Sequence, residues 1–91
     1  MSETFKNVWD ALEDDPAVRE SLKIKSRMML DIEQHIKSMG ITQAQAAKKM
    51  GVTQPRVSDL VNGKIDRFTI DMLITMLARL GLHVEIKLKA A

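Results

Sequence analysis

Thr42-Gln43-Ala44-Gln45-Ala46-Ala47-Lys48-Lys49-Met50-Gly51-Val52-Thr53-Gln54-Pro55-Arg56-Val57-Ser58-Asp59-Leu60-Val61-Asn62-Gly63 decides the fold of this 91-residue chain. Thr42 and Gln45 form a Thr-x-x-Gln capping box, which opens a helix ending at Met50. Gly51 is the expected C-cap and Thr53 the next N-cap. Val52 and Val57 stand at the staple positions of a helix that closes at Asn62-Gly63. Two short helices crossing steeply need a small residue at the crossing, which Ala47 supplies. The tight turn between them needs a positive φ, which Gly51 accepts without steric cost. Val57 and Leu60 bury one face of the second helix and leave the other free. These are the requirements of a helix-turn-helix over residues 43–62, whose second helix enters the DNA major groove.

On the C-terminal side, Thr69 caps a further helix, with Phe68 and Leu73 as its staple. Ile70, Leu73, Leu77 and Leu80 form the buried stripe, and Gly81 ends it. Leu82, Val84, Ile86 and Leu88 then alternate with His83, Glu85, Lys87 and Lys89, the period of a half-buried strand over 82–89. A lone strand leaves its ladder groups unpaired, so the pattern predicts antiparallel pairing with a second copy of the chain. Met72 and Met76, four apart and off the helical stripe, are expected at the same dimer contact as Leu82, Val84, Ile86 and Leu88.

On the N-terminal side, Asp15 and Pro16 suit an N-cap and a first helical position. The helix they open carries Val18, Leu22, Met29, Ile32, Ile36 and Met39 on one stripe and stops at Gly40. Ile24, Met28 and Leu30 fall off that stripe, so a second neighbour is expected, either a preceding helix or another subunit. Phe5, Val8, Trp9 and Leu12 recur at i, i+3, i+4 and i+7 and predict that preceding helix over about residues 3–12. The expected organisation is an acidic helix or arm at 1–14 and a helix-turn-helix domain at 15–91. It is mainly α, with five helices and one C-terminal strand.

Hydrophobic residues make up 45% and charged residues 29%, a globular balance. The lack of cysteine excludes disulfide scaffolds, zinc fingers, iron–sulfur clusters and thiol nucleophiles. A net charge of +2 argues little by itself, but it is unevenly spread. Residues 1–20 hold Lys6 and Arg19 against Glu3, Asp10, Glu13, Asp14, Asp15 and Glu20. Residues 42–68 hold Lys48, Lys49, Arg56, Lys64 and Arg67 against Asp59 and Asp66. An acidic head on a basic body suggests two surfaces with different partners. No apolar run is long enough to span a membrane and no basic, apolar leader is present, so a soluble cytoplasmic protein is expected. His35 and His83 have no metal-ligand spacing. No phosphate loop, nucleophile elbow or zinc-protease motif occurs, so neither an enzyme nor a cofactor is expected.

Residues 42–67 resemble the Xre/Cro-type helix-turn-helix of phage repressors. Residues 20–89, with the Gln-Pro-Arg-Val-Ser-Asp-Leu segment and the C-terminal strand, are similar to HigA-type antitoxins and related small Xre regulators. The resemblance implies a lambda-repressor-like fold and places Gln54, Pro55, Arg56 and Asp59 toward base edges. Helical geometry adds that, with Val57 and Leu60 buried, Pro55, Asp59 and Asn62 point most directly outward, with Ser58 nearby. Gln54 suits two-point reading of adenine, Arg56 a guanine or a phosphate, and the Pro55 ring a thymine methyl. Asp59 needs a cytosine amino group or a pairing with Arg56. Gln43 and Thr53 at helix N-termini, and Asn62, Lys64 and Arg67 past the second helix, would clamp the phosphate backbone.

The expected activity is that of a dimeric repressor on two-fold related double-stranded DNA half-sites. Its leading form is an antitoxin whose acidic first residues contact a basic toxin. The alternatives are a stand-alone phage-type regulator and a protein-interaction module that has lost DNA binding.

Overall fold

The computed structural model describes residues 15–90. The first helix expected from the sequence, over residues 3–12, lies outside them. Four α-helices follow in order: α1 (Pro16–Met39), α2 (Gln43–Met50), α3 (Gln54–Val61) and α4 (Ile70–Arg79), with a single 3-10 turn, Ile65–Arg67, between α3 and α4.

Each α-helix starts on a local side-chain cap. The Asp15 carboxylate accepts from the Ala17 N–H at 2.9 Å, and Pro16 occupies the first turn, where no donor is required. Thr42 Oγ1 accepts from Gln45 N at 3.1 Å while Gln45 Oε1 accepts from Thr42 N at 2.9 Å, closing the capping box reciprocally. Thr53 and Thr69 accept from Arg56 N and Met72 N. Such a cap is worth about 1 kcal/mol, and α2 and α3 have only eight residues each, too few to hold a helix by propensity.

The core is one cluster drawn from all four helices and the 3-10 connection. α1 contributes Met28, Met29, Ile32 and Ile36; α2 contributes Ala46, Ala47 and Met50; α3 contributes Val57 and Leu60. Phe68, Leu73, Met76, Leu77 and Leu80 close it. Among the described residues no polar or charged side chain is buried. Both staples fall into place: Val57, Phe68 and Leu73 are buried, and Val52 packs against the cluster. α1 lies against α3, the 3-10 turn and α4, so one long helix is the scaffold on which the two short ones are mounted.

Two expectations change at this point. Met76 is 2% exposed and belongs to the core, so it is not available as a dimer contact, while Met72 is half-buried at the surface. α4 is enclosed over a wider arc than the Ile70-Leu73-Leu77 stripe implies, because both α1 and α2 pack on it. Met28, off the stripe of α1, is likewise buried. The second change concerns residues 82–89, which form no strand in the single chain. Leu82 turns back onto the core, its N–H donating to Leu77 O at 3.0 Å. Residues 83–90 make no backbone–backbone hydrogen bond among the described residues, and Val84, Ile86 and Leu88 are exposed. A ladder needs a second strand, and one chain supplies none.

Candidate nucleic-acid interface

The turn between α2 and α3 is built to one geometry. Gly51 adopts φ 70°, ψ 32°, the left-handed region. Its N–H donates to Lys48 O at 3.3 Å and that of Val52 to Ala47 O at 3.0 Å, the pair of hydrogen bonds of a Schellman closure. Arg79, on the last turn of α4, reaches back and donates from Nη1 to Met50 O at 3.2 Å. Its guanidinium occupies the space where a Cβ on Gly51 would stand. Glycine is therefore favoured by the dihedral angle, and a Cβ at this position would also have to push the flexible Arg79 guanidinium aside.

α3 ends in a second closure of the same kind. Gly63, at φ 71°, donates to Leu60 O, and Lys64 N–H donates to Asp59 O at 3.0 Å. This backbone bond holds Lys64 immediately beyond the end of α3, with its ammonium exposed.

With Val57 and Leu60 in the core, the outer face of α3 presents Gln54, Pro55 and Asn62, all exposed, and Ser58, half-buried, whose hydroxyl accepts from Asn62 Nδ2 at 3.3 Å. Thr53 is exposed at the N-cap of α3 and Gln43 at the first position of α2, each at the positive end of a helix dipole, which suits an anion. These residues are neutral, so they can approach phosphates and base edges without charge repulsion.

The charged residues are arranged differently from the sequence expectation. Arg56 does not pair with Asp59. Its guanidinium lies over the Phe68 ring, 5.7 Å from the centroid, and donates from Nη1 to Arg67 O at 2.9 Å. Arg67 in turn bonds Asp59 through Nη1 and Oδ2 at 3.4 Å, rather than Asp66. The Asp59 side chain is 19% exposed and that of Arg67 54%. The pairing neutralises the one carboxylate of α3. The cause lies in the connection: the 3-10 turn carries Arg67 back across α3 and delivers Phe68 into the core, its ring face under Arg56. A partly exposed pair of this kind contributes at most about 1 kcal/mol, and its larger effect is on register. It braces the α3–α4 connection against the helix.

Of the residues expected at DNA, Thr53, Gln54, Pro55, Ser58, Asn62 and Lys64 therefore lie on or directly beside α3, while Arg56, Asp59 and Arg67 are tied to one another. Phe68 and Arg79 escaped the reading of the sequence. Phe68 was legible only as a staple, and Arg79 meets the turn from 29 residues away, a separation that leaves no local signature. Among the described residues, no cluster of His, Asp or Glu is placed to hold a metal ion, and no helix is long and apolar enough to cross a membrane.

A family of helix-turn-helix domains matches residues 11–89. Among solved structures, a chain named for the XRE family of transcriptional regulators is 33% identical, with a TM-score of 0.75, covering 80% of this chain and 82% of its own. No curated protein matches.

Proposed function

The chain belongs to the XRE family of helix-turn-helix transcriptional regulators, and from that premise we propose that it is the antitoxin of a toxin–antitoxin pair, a dimeric repressor of its own operon. The DNA-binding part of this reading rests on one observation. α3 is clamped at both ends by backbone closures and turns a neutral, hydrogen-bonding face outward, flanked by the exposed Lys64. Gln54 and Asn62 read base edges, Pro55 meets a thymine methyl, and Ser58 is held by Asn62 to complete the set. Gln43, Thr53 and Lys64 contact phosphate, and Arg67 joins them where its exposed side reaches the backbone. Arg56 and Asp59 act from behind this face, holding it in place.

Two α3 helices meet half-sites about 34–36 Å apart. The open backbone edge of residues 83–89 supports the two-fold partner, with Val84 and Ile86 turned toward the body of the chain and the ladder groups left for a second copy. The antitoxin part rests on the resemblance of residues 20–89 to HigA-type antitoxins and on the acidic head, which suits a basic toxin.

The test is a gel shift on the DNA upstream of the protein's own reading frame at two salt concentrations, run beside a pull-down with the product of the neighbouring frame. Retarded DNA that weakens with salt and a toxin retained only by chains carrying residues 1–14 are the expected results. Absence of any shift would leave an interaction module. A shift without a captured neighbour would leave a stand-alone regulator.

A further inference from the structure

Ser21, Ile24 and Met28 of α1, Ile74 of α4, and Val84 and Ile86 beyond Gly81 line an apolar groove of about 370 Å³. Ile24, Val84 and Ile86 stand 43%, 40% and 72% exposed. Grouped apolar surface of this kind marks a contact site. Ala17 lies at its lip, in the first turn of α1, so the chain enters the helix at the mouth of the groove with residues 1–14 still ahead of it.

We propose that residues 3–12 fill this groove as a helix folded back antiparallel on α1 of the same chain. Phe5, Val8, Trp9 and Leu12 give that segment one apolar stripe, and Glu3 and Asp10 fall on the opposite side of the same helix. Its length matches the seat. At helical rise, residues 3–12 span about 14 Å and Ala17 to Met28 about 16 Å. The link Glu13-Asp14-Asp15 has the size of a helical-hairpin loop, and Asp15 already caps α1. Antiparallel folding sets Leu12 beside Ala17 and Ser21, Trp9 beside Ile24, and Phe5 beside Met28.

The two segments differ in net charge: residues 1–14 carry Lys6 against Glu3, Asp10, Glu13 and Asp14, while the first half of α1 carries Arg19, Lys23, Lys25 and Arg27 against Glu20, with Glu20 the one charged residue of the groove lining and Arg27 paired with Asp31. Helices packed 8–10 Å apart lie within about one Debye length at physiological salt. The docked segment keeps its acidic side in solvent, so the seat stands whether or not a toxin later reads that side.

Trp9 is the sole tryptophan and the chain has no tyrosine, so tryptophan fluorescence of the full-length protein, without DNA or toxin, reports this segment alone. The expected spectrum peaks at shorter wavelength than free tryptophan and is quenched severalfold less by acrylamide. Ile24→Asp and, separately, Ile86→Asp move both readings to the free values. Both positions are exposed, so the circular dichroism of α1–α4 is retained, and Ile86 lies outside every helix of the described residues. Dilution to the point where sedimentation shows monomer leaves the spectrum unchanged. Three results would overturn the proposal: a free-tryptophan spectrum in the unmodified protein, a shifted spectrum that neither substitution moves, or a spectrum that reverts on dilution in step with dissociation. The last would seat the segment in a second copy.

Discussion

Replacing Gly51 by alanine tests the central joint of the molecule. A side chain in the left-handed region costs about 1–2 kcal/mol. Stiffening the unfolded chain returns about 0.4–1 kcal/mol. The new Cβ also displaces the Arg79 guanidinium from Met50 O. A hydrogen bond from a charged donor is worth about 1.5–3 kcal/mol when shielded, and Arg79 is exposed, so about 0.5–1 kcal/mol is lost with it. The net destabilisation is about 1–2 kcal/mol, which in a domain of this size lowers Tm by roughly 5–15 °C.

Urea and thermal unfolding followed by circular dichroism measure it. The informative comparison is a double-mutant cycle with Arg79→Ala, which alone costs about 0.5–1 kcal/mol. Gly51→Ala already evicts Arg79, so the double variant is expected to be no less stable than Gly51→Ala by more than a few tenths of a kcal/mol. Strict additivity of the two costs, or an unchanged Tm for Gly51→Ala, would refute the reading of Arg79 as a lock on the turn.

Arg56→Ala is expected to cost about 0.5–1.5 kcal/mol of stability and to weaken binding equally across operator variants, because its guanidinium is committed to Arg67 O and Phe68. A loss concentrated at one base step in a binding series would instead make it a base reader. Lys64→Ala should lower the slope of log K against log[salt] by about 0.9. A slope that does not move takes Lys64 off the phosphate backbone. Truncation after Leu82 removes the ladder edge while leaving Leu82 on the core, so sedimentation should show a monomer and circular dichroism should still show the helices α1–α4. A persistent dimer places the subunit contact elsewhere.

How far the sequence could be read depends on the range of the interactions involved. The caps at Asp15, Thr42, Thr53 and Thr69 and the turn glycine at Gly51 involve partners two to five residues apart, so residue type and spacing carried them in full. The helix-turn-helix followed from those alone, together with the burial of Val57 and Leu60. What failed to show was set by contacts between distant segments. Asp59 was readable as a carboxylate in need of a partner, but Arg56 at i−3 and Arg67 at i+8 satisfy that need equally well on paper. Only the course of the 3-10 turn decides between them. Met76 was misplaced because a stripe drawn from one helix cannot know how many neighbours enclose it. Residues 82–89 carry a strand's alternation, yet a strand is a property of two segments.

The separation between what faces outward and what lies in the core has a consequence for how the protein can change over generations. Gln54, Pro55 and Asn62 are exposed, and exchanging residues of this kind typically alters stability by no more than about 0.5 kcal/mol. Phe68, Val57 and Leu60, which set the height and tilt of the helix that carries them, are not open to such exchange. With the outer positions reading the operator as proposed, a lineage of these chains can move from one operator to another by substituting them one at a time, without passing through an unfolded ancestor.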